Sequence, residues 1–78
     1  MSENQKDIDL ASGIAAFEAK NFSQAMKELH PYAEQGDADC QHRVAIMYQN
    51  GLGITPSDEE AFKWMSAAAE QGHAIAQH

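Results

Sequence analysis

Small and apolar residues recur along the chain at intervals of three and four positions, the spacing that places side chains on one face of an α-helix. Four stretches follow it: Leu10, Gly13, Ile14 and Phe17; Phe22, Ala25, Met26, Leu29 and Ala33; Ala38, Gln41, Val44, Ala45 and Tyr48; and Ala61, Trp64, Met65, Ala68 and Ala69. Turn-forming residues separate each stretch from the next. The pattern therefore predicts an all-α chain of two helix–loop–helix units.

Local signals mark the expected helix ends. Turns and stops are predicted at Lys20–Asn21, Gly36, Asn50–Gly51 and Gly72, an N-cap at Asp37, and a capping box formed by Ser57 and Glu60. Pro31 lies inside the second helix and removes one backbone hydrogen bond, which predicts a bend near residues 27–30. The first unit is thus expected to have the same plan as the second, with a shorter loop.

An internal repeat connects the two units. Residues 33–42 and 69–78 are identical at seven of ten positions, at an offset of 36 residues. A fixed period of this length is typical of helical repeat proteins. We predict a polar N-terminal arm over residues 1–9, a first helix pair over 10–36, a second over 37–72, and the start of a third repeat or a C-terminal cap over 73–78.

Composition and charge narrow the possible partners. The 78 residues carry 5 basic and 12 acidic groups, for a net charge of −7, with no cluster of Lys or Arg. Nucleic-acid binding needs such a cluster, so no nucleic-acid partner is expected. No apolar run is long enough for a membrane span, and the N-terminus lacks a signal-peptide pattern. With one cysteine as well, these features predict a cytoplasmic protein by default, and the alternative left open is a secretory form whose targeting segment has been removed.

The repeated motifs resemble those of the Sel1-like repeat family, a relative of the tetratricopeptide repeats. The resemblance covers residues 10–78 and rests on the segments Ala-Glu-Gln-Gly-Asp-Ala at 33–38, Met-Tyr-Gln-Asn-Gly-Leu-Gly-Ile at 47–54, Ala-Phe-Lys-Trp at 61–64 and Ala-Glu-Gln-Gly at 69–72. Residues 10–36 resemble the tetratricopeptide-like first repeat of such chains. Val44 and Ala45 stand where the family usually has Leu and Gly. The resemblance implies an α-solenoid and an adaptor role.

A polar stripe on the third helix is the predicted partner-binding site. In an α-solenoid the first helix of each unit lines the concave surface. Asp39, His42, Ile46 and Gln49 share one side of that helix, away from its buried face. An exposed Ile among polar groups would anchor a peptide or protein partner. The alternative interpretation is an ordinary solvated face with one surface Ile.

Self-assembly is the competing hypothesis. Two units bury little apolar area, and repeat arrays usually need about three units plus polar caps. Phe62, Trp64 and Ile75 are expected to form an uncovered apolar end, through which the chain would form a homodimer or continue into a longer array. The spacing of Trp64 also fits packing between the paired helices, as does that of Tyr48, Phe17 and Phe22.

No catalytic, metal or cofactor site is expected. Cys40 and His42 face different sides of one helix, and His73 and His78 are not at the spacing of a helical zinc pair. Cys40 matches Ala76 in the repeat, which favours a small buried packing residue. Some cysteine-rich relatives are associated with β-lactam binding, but they depend on paired cysteines that this chain lacks. A hydrolase is therefore the least favoured of the three hypotheses.

Overall fold

Four α-helices make up the fold. The structure is a computed structural model that describes the backbone of residues 2–76 and the side chains of residues 9–71. The helices are α1 (Ser2–Glu18), α2 (Phe22–Glu34), α3 (Ala38–Asn50) and α4 (Asp58–Ala76), and the described residues contain no strand. Each helix packs against the next one along the chain, α1 on α2, α2 on α3 and α3 on α4. The all-α prediction is confirmed.

The inner helix ends follow the predicted chemistry. Lys20 takes a positive φ of 67° in the turn between α1 and α2. The Asp37 carboxylate accepts a hydrogen bond from the backbone N–H of Cys40 at 2.9 Å, which caps α3. Gly51 ends α3 in the left-handed conformation, with a φ of 67°. These ends fix the lengths of α2 and α3, and hence the positions of the side chains between them.

The predicted capping box at the start of α4 forms only in part. The Ser57 hydroxyl accepts a hydrogen bond from the backbone N–H of Glu60 at 3.2 Å, as expected. The reciprocal bond is replaced, because the Ser57 N–H donates to the Tyr48 carbonyl at 3.1 Å. The Glu60 carboxylate instead accepts from the Trp64 indole N–H at 3.2 Å. Glu60 therefore orients the tryptophan rather than completing the cap.

The outer helix ends differ from the prediction. Helix α1 begins at Ser2, so most of the segment expected to be a polar arm is helical. Helix α4 continues through Gly72 to Ala76, although the same four residues, Ala-Glu-Gln-Gly, end α2 at positions 33–36. Gly36 is followed by the N-cap Asp37, whereas Gly72 is followed by His73, which is not a favoured capping residue. Helix α2 continues through Pro31, and the bend near residues 27–30 stays a prediction.

The core lies where α2, α3 and α4 meet. Its largest fully buried side chains are Leu29, Met47, Val44 and Cys40. Alanines allow the helices to approach closely: Ala25 and Ala45 are 0% exposed. Gly13 on α1 has the same role, because a Cβ there would lie 2.6 Å from the Leu29 side chain. The predicted burial of Cys40 as a small packing residue is confirmed.

The aromatic residues pack as the helical spacing predicted. The Phe17 and Phe22 rings meet edge to face with centroids 5.6 Å apart, and both are half-buried against the core, as is Tyr48. Trp64 is 6% exposed, and its ring contacts His30 of α2 at a centroid distance of 5.5 Å. The structure therefore places Trp64 in the core, and not on the uncovered apolar end where the self-assembly hypothesis needed it.

Two glutamines, Gln41 and Gln71, bind the helices together, and we call this pair the glutamine clasp. Gln41 is 6% exposed, and its side-chain amide donates to the Ala33 carbonyl at 3.0 Å. The Gln71 amide donates to the Gln41 side-chain oxygen at 3.0 Å and to the Gly36 carbonyl at 2.7 Å. The clasp thus ties α3 and α4 to the C-terminal end of α2.

Candidate functional site

Helices α3 and α4 form a grooved surface that is open to solvent. One groove of about 360 Å³ is lined by Ala38, Asp39, His42, Met65, Ala68 and Ala69. A second groove of about 250 Å³ is lined by Gln49, Asp58, Ala61, Phe62 and Met65. Met65 lines both, so the two grooves lie next to each other. We call the surface formed by these residues the α3–α4 face.

Three of the four residues of the predicted partner stripe line this face. Asp39 and His42 are exposed at the first groove, and Gln49 is exposed at the second. Ile46 lies between them on α3 but is only half-exposed and does not line either groove. Three residues of the stripe thus lie at the grooves and Ile46 lies outside them, and a partner-binding role for the four stays a prediction.

Phe62 is the most exposed large apolar residue described, with 76% of its surface accessible. The sequence assigned it to an apolar end of the solenoid, separate from the polar stripe on α3. The structure instead brings it into the same groove as Gln49, with Met65 beside it. The third residue of the predicted self-association patch, Ile75, has a side chain that lies outside the described residues.

Met65 is a groove residue that the sequence did not identify. Its helical spacing assigned it to the buried stripe of α4, but the structure leaves it half-buried between the two grooves. A methionine at such a position is flexible and polarisable, which suits a surface that must adapt to a bound apolar group.

The charge lining the α3–α4 face is negative. Asp39 and Asp58 are its two lining carboxylates, and no Lys or Arg lines either groove. Asp39 also pairs with Arg43 one turn along α3. The Arg43 guanidinium in turn lies 5.5 Å from the centre of the Phe17 ring, which holds it against the body of the protein. The face therefore presents apolar grooves with a carboxylate at each end.

Two titratable groups of α3, Cys40 and Tyr48, have raised pKa values. Burial and the neighbouring Asp37 carboxylate raise the pKa of the Cys40 thiol to about 12, so at neutral pH it is a protonated thiol. Burial and the charge of Glu60 also raise the pKa of Tyr48. Within the described residues, no three His, Cys, Asp or Glu side chains are grouped closely enough to hold a metal ion.

Consecutive helix pairs that pack in chain order, built on a 36-residue period, define an α-helical repeat protein. Residues 38–73 match the family model described as Sel1 repeat. These residues therefore form a Sel1 repeat, as the motifs predicted. The matched segment contains α3, the connecting loop and most of α4, and thus the whole α3–α4 face.

A curated relative is an exopolysaccharide production negative regulator from Rhizobium leguminosarum bv. viciae. It is 35% identical over 60 residues, which cover 77% of this chain but only 22% of the relative. The chain thus spans about a fifth of the relative's length. No solved structure matches the chain.

Sel1 repeats generally mediate protein–protein interaction and are typically non-catalytic. The matched repeat therefore implies protein partners. Among the described residues, no helix is both long and apolar enough to cross a membrane.

Proposed function

We propose that this chain is a non-catalytic interaction module that binds a protein partner on the α3–α4 face. The observation that carries the proposal is the 76% exposure of Phe62 in one of two neighbouring grooves. An aromatic side chain exposed at the edge of an apolar groove is typical of an interface anchor, because burying it on binding removes a large apolar area from water.

Each residue of the face has a distinct role in this proposal. Phe62 and Met65 supply the apolar contact. Asp39, His42 and Gln49 supply polar groups around it, which fix the register of the partner. Ile46 lies half-buried on the same helix, outside both grooves. The proposal involves no reaction step and no nucleic acid, in keeping with a chain of net charge −7.

A regulatory role is part of the proposal. The relative from Rhizobium leguminosarum bv. viciae is named as a negative regulator. A module that binds a partner without modifying it can inhibit by occupying a surface that the partner needs. Because this chain spans only 22% of that relative, we propose for it only the binding of a partner, and not the relative's whole regulatory activity.

Self-association is the second candidate function, because exposed Phe62 could equally meet a second copy. Of the three residues predicted for this role, Phe62 is available on the surface, whereas Trp64 is 6% exposed. Two copies would also bring two chains of net charge −7 together. These two features favour a different protein as the partner.

Site-specific photo-crosslinking in cells tests the proposal. A benzophenone amino acid would replace Phe62, and a matched control would carry it at Ala19, which is exposed on the turn after α1. We expect a discrete crosslinked protein from position 62 and none from position 19. The Phe62→Glu variant should keep the helical circular dichroism signal of the unchanged protein, and it should no longer bind the protein that is crosslinked from position 62. Equal crosslinking from both positions, or a partner retained by Phe62→Glu, would contradict the proposal.

A further inference from the structure

The repeat provides an internal reference for what the α3–α4 face lacks. Through the 36-residue period, Met26 corresponds to Phe62, Leu29 to Met65 and Ala33 to Ala69. The three residues on α2 are 7%, 0% and 1% exposed. On α4, by contrast, Phe62 is 76% exposed, Ala69 is exposed and Met65 is half-buried. The same set of helix positions thus occurs twice in the chain. It is buried on α2 and largely open to solvent on α4.

Helix α3 packs on the first copy of this face, and α1 packs on the other side of α2. The α3 residues Cys40, Val44 and Met47 share one buried cluster with Met26, Leu29 and Ala33. The second copy has α3 on one side, in the position that α1 has beside α2. No helix of the described chain takes the position on its other side.

We infer that the α3–α4 face binds a single amphipathic α-helix of a partner protein, in the way that α3 packs on α2. This inference rests on the proposed function and specifies the ligand of the same site. The described chain does not supply this helix itself, because α4 continues through Gly72 to Ala76 instead of turning back across the face.

The bound helix has a defined apolar side. On α3, the covering residues recur at intervals of four and three positions: Cys40, Val44 and Met47. Their sizes range from small to medium, which allows close helix packing. Phe62 is larger than its equivalent Met26, so the partner helix should carry a small residue opposite it. A partner stripe of Ala, Cys, Val and Met therefore fits the grooves.

The bound helix also has a defined polar contact. On α3, the side-chain amide of Gln41 donates to the Ala33 carbonyl at 3.0 Å. The equivalent acceptor on α4 is the carbonyl of Ala69, at one end of the first groove. A Gln placed one residue after the first apolar position of the partner helix would donate to it. This hydrogen bond would fix the register of the helix along the groove.

Charge favours a cationic partner helix over a second copy of this chain. Asp39 and Asp58 are the lining carboxylates of the face, and the whole chain has a net charge of −7. Lys or Arg residues at the flanks of the partner helix would meet these carboxylates, whereas a second copy would add a further seven negative charges. The ligand is thus an amphipathic helix with basic flanks.

A pair of synthetic helices tests the inference against the full chain. Both are hydrocarbon-stapled peptides that carry the α3 stripe with its Gln. One has Lys at the flanking exposed positions, and the other has Glu there. We expect the Lys peptide to bind at least about tenfold more tightly by fluorescence anisotropy, with the difference shrinking as salt is raised. Amide chemical shifts should change around Phe62, Met65 and Ala69.

Two variants of the chain serve as test and matched control. Phe62→Gln should weaken binding of the Lys peptide about tenfold or more, whereas Ile54→Gln should leave it unchanged. Ile54 is also an exposed apolar residue, but it does not line either groove. Because Phe62 is 76% exposed, its variant should keep the fold, which circular dichroism would verify.

Several outcomes would overturn the inference. They are failure of the Lys peptide to bind at millimolar concentration, equal binding of the Glu peptide, binding that survives Phe62→Gln, and a dimer formed through Phe62 at micromolar concentration by sedimentation. If crosslinking at position 62 still captures a partner while the helix does not bind, the proposed function stands and the helical ligand is wrong. If both experiments fail, the proposed function fails with it.

Discussion

At the scale of single residues, Gln41 shows how a polar group can belong to the core. A buried amide is destabilising unless both its donor and its acceptor are bonded. Gln41 meets this condition, because its nitrogen donates to Ala33 and its oxygen accepts from Gln71. The helical spacing had already placed Gln41 on the buried face of α3. It could not show which partners would make that burial favourable.

Gln41→Leu should therefore destabilise the fold by about 1–3 kcal/mol, since it removes the two hydrogen bonds that join α3 to α2 and α4 through this side chain. Gln49→Leu is the matched control, because Gln49 is exposed on the same helix. Urea unfolding followed by circular dichroism would measure both. Equal stability of the two variants would mean that the glutamine clasp contributes nothing.

The buried thiol predicts a dependence on alkaline pH. The pKa of Cys40 is raised from 9.0 to about 12, so the unfolded chain loses this proton first. The free energy of unfolding should then fall as pH rises from about 9 towards 12. Cys40→Ala introduces the residue found at the equivalent position 76 of the repeat. This variant should show a weaker dependence of the free energy of unfolding on pH in this range. A native thiol that reacts with iodoacetamide at pH 8 as fast as the urea-unfolded chain would contradict this picture.

At the scale of secondary-structure elements, the position where a helix ends depends on the residue beyond that end as well as on the helix's own residues. Ala-Glu-Gln-Gly ends α2 at residues 33–36, yet it lies inside α4 at residues 69–72. The two copies differ in the next residue, which is Asp37, the N-cap of α3, in one case and His73 in the other. Helical spacing therefore predicted α2 and α3 well, whereas the expected end at Gly72 was wrong.

Asp37→Ala should cost about 1 kcal/mol of stability, because it removes the side-chain acceptor for the Cys40 N–H at the start of α3. Asp37→Asn should restore most of the loss, since an Asn side chain also caps helices. Thermal unfolding of the three proteins would measure the differences. An Asn variant as unstable as the Ala variant would show that the charge matters more than the hydrogen bond.

The loop between α3 and α4 gives a second test at this scale. Gly53 has a φ of 71°, and a Cβ there would lie 2.5 Å from the carbonyl carbon of Phe22. Gly36 also has a positive φ, of 102°, but a Cβ there would meet no atom within 4 Å. Gly53→Ala should therefore destabilise the protein clearly more than Gly36→Ala in urea unfolding. Equal losses would mean that the loop moves away from α2 at little cost.

At the scale of the whole molecule, the two helix pairs pack against each other and share contacts, from which we expect them to unfold together. The glutamine clasp joins α4 to the end of α2, and the Trp64 ring contacts His30 across the units. The sequence predicted a shared seam between two helical hairpins, and the packing of α2 on α3 confirms it. It could not predict that Phe62 and the polar stripe of α3 lie together, because that depends on how α3 and α4 pack.

Leu29→Ala provides a test of this cooperativity. It removes a fully buried side chain of α2 and should cost about 2–5 kcal/mol. Trp64, the one tryptophan of the chain, reports on α4 by fluorescence, while circular dichroism reports on all helices. Both signals should shift together to lower urea concentration, and the exposed Phe62→Gln variant should shift neither. A fluorescence transition that stays in place would mean that the units unfold separately.

The glutamine clasp has a consequence for how such a chain can lengthen. Gln71 repeats Gln35 and Gln77 repeats Gln41, so every period encodes one glutamine of each kind. A tandem duplication of one period would hence supply the donors for its own junction, with no new contact to be selected. The spacing of the two glutamines within the 36-residue period therefore allows the chain to lengthen by duplication of that period.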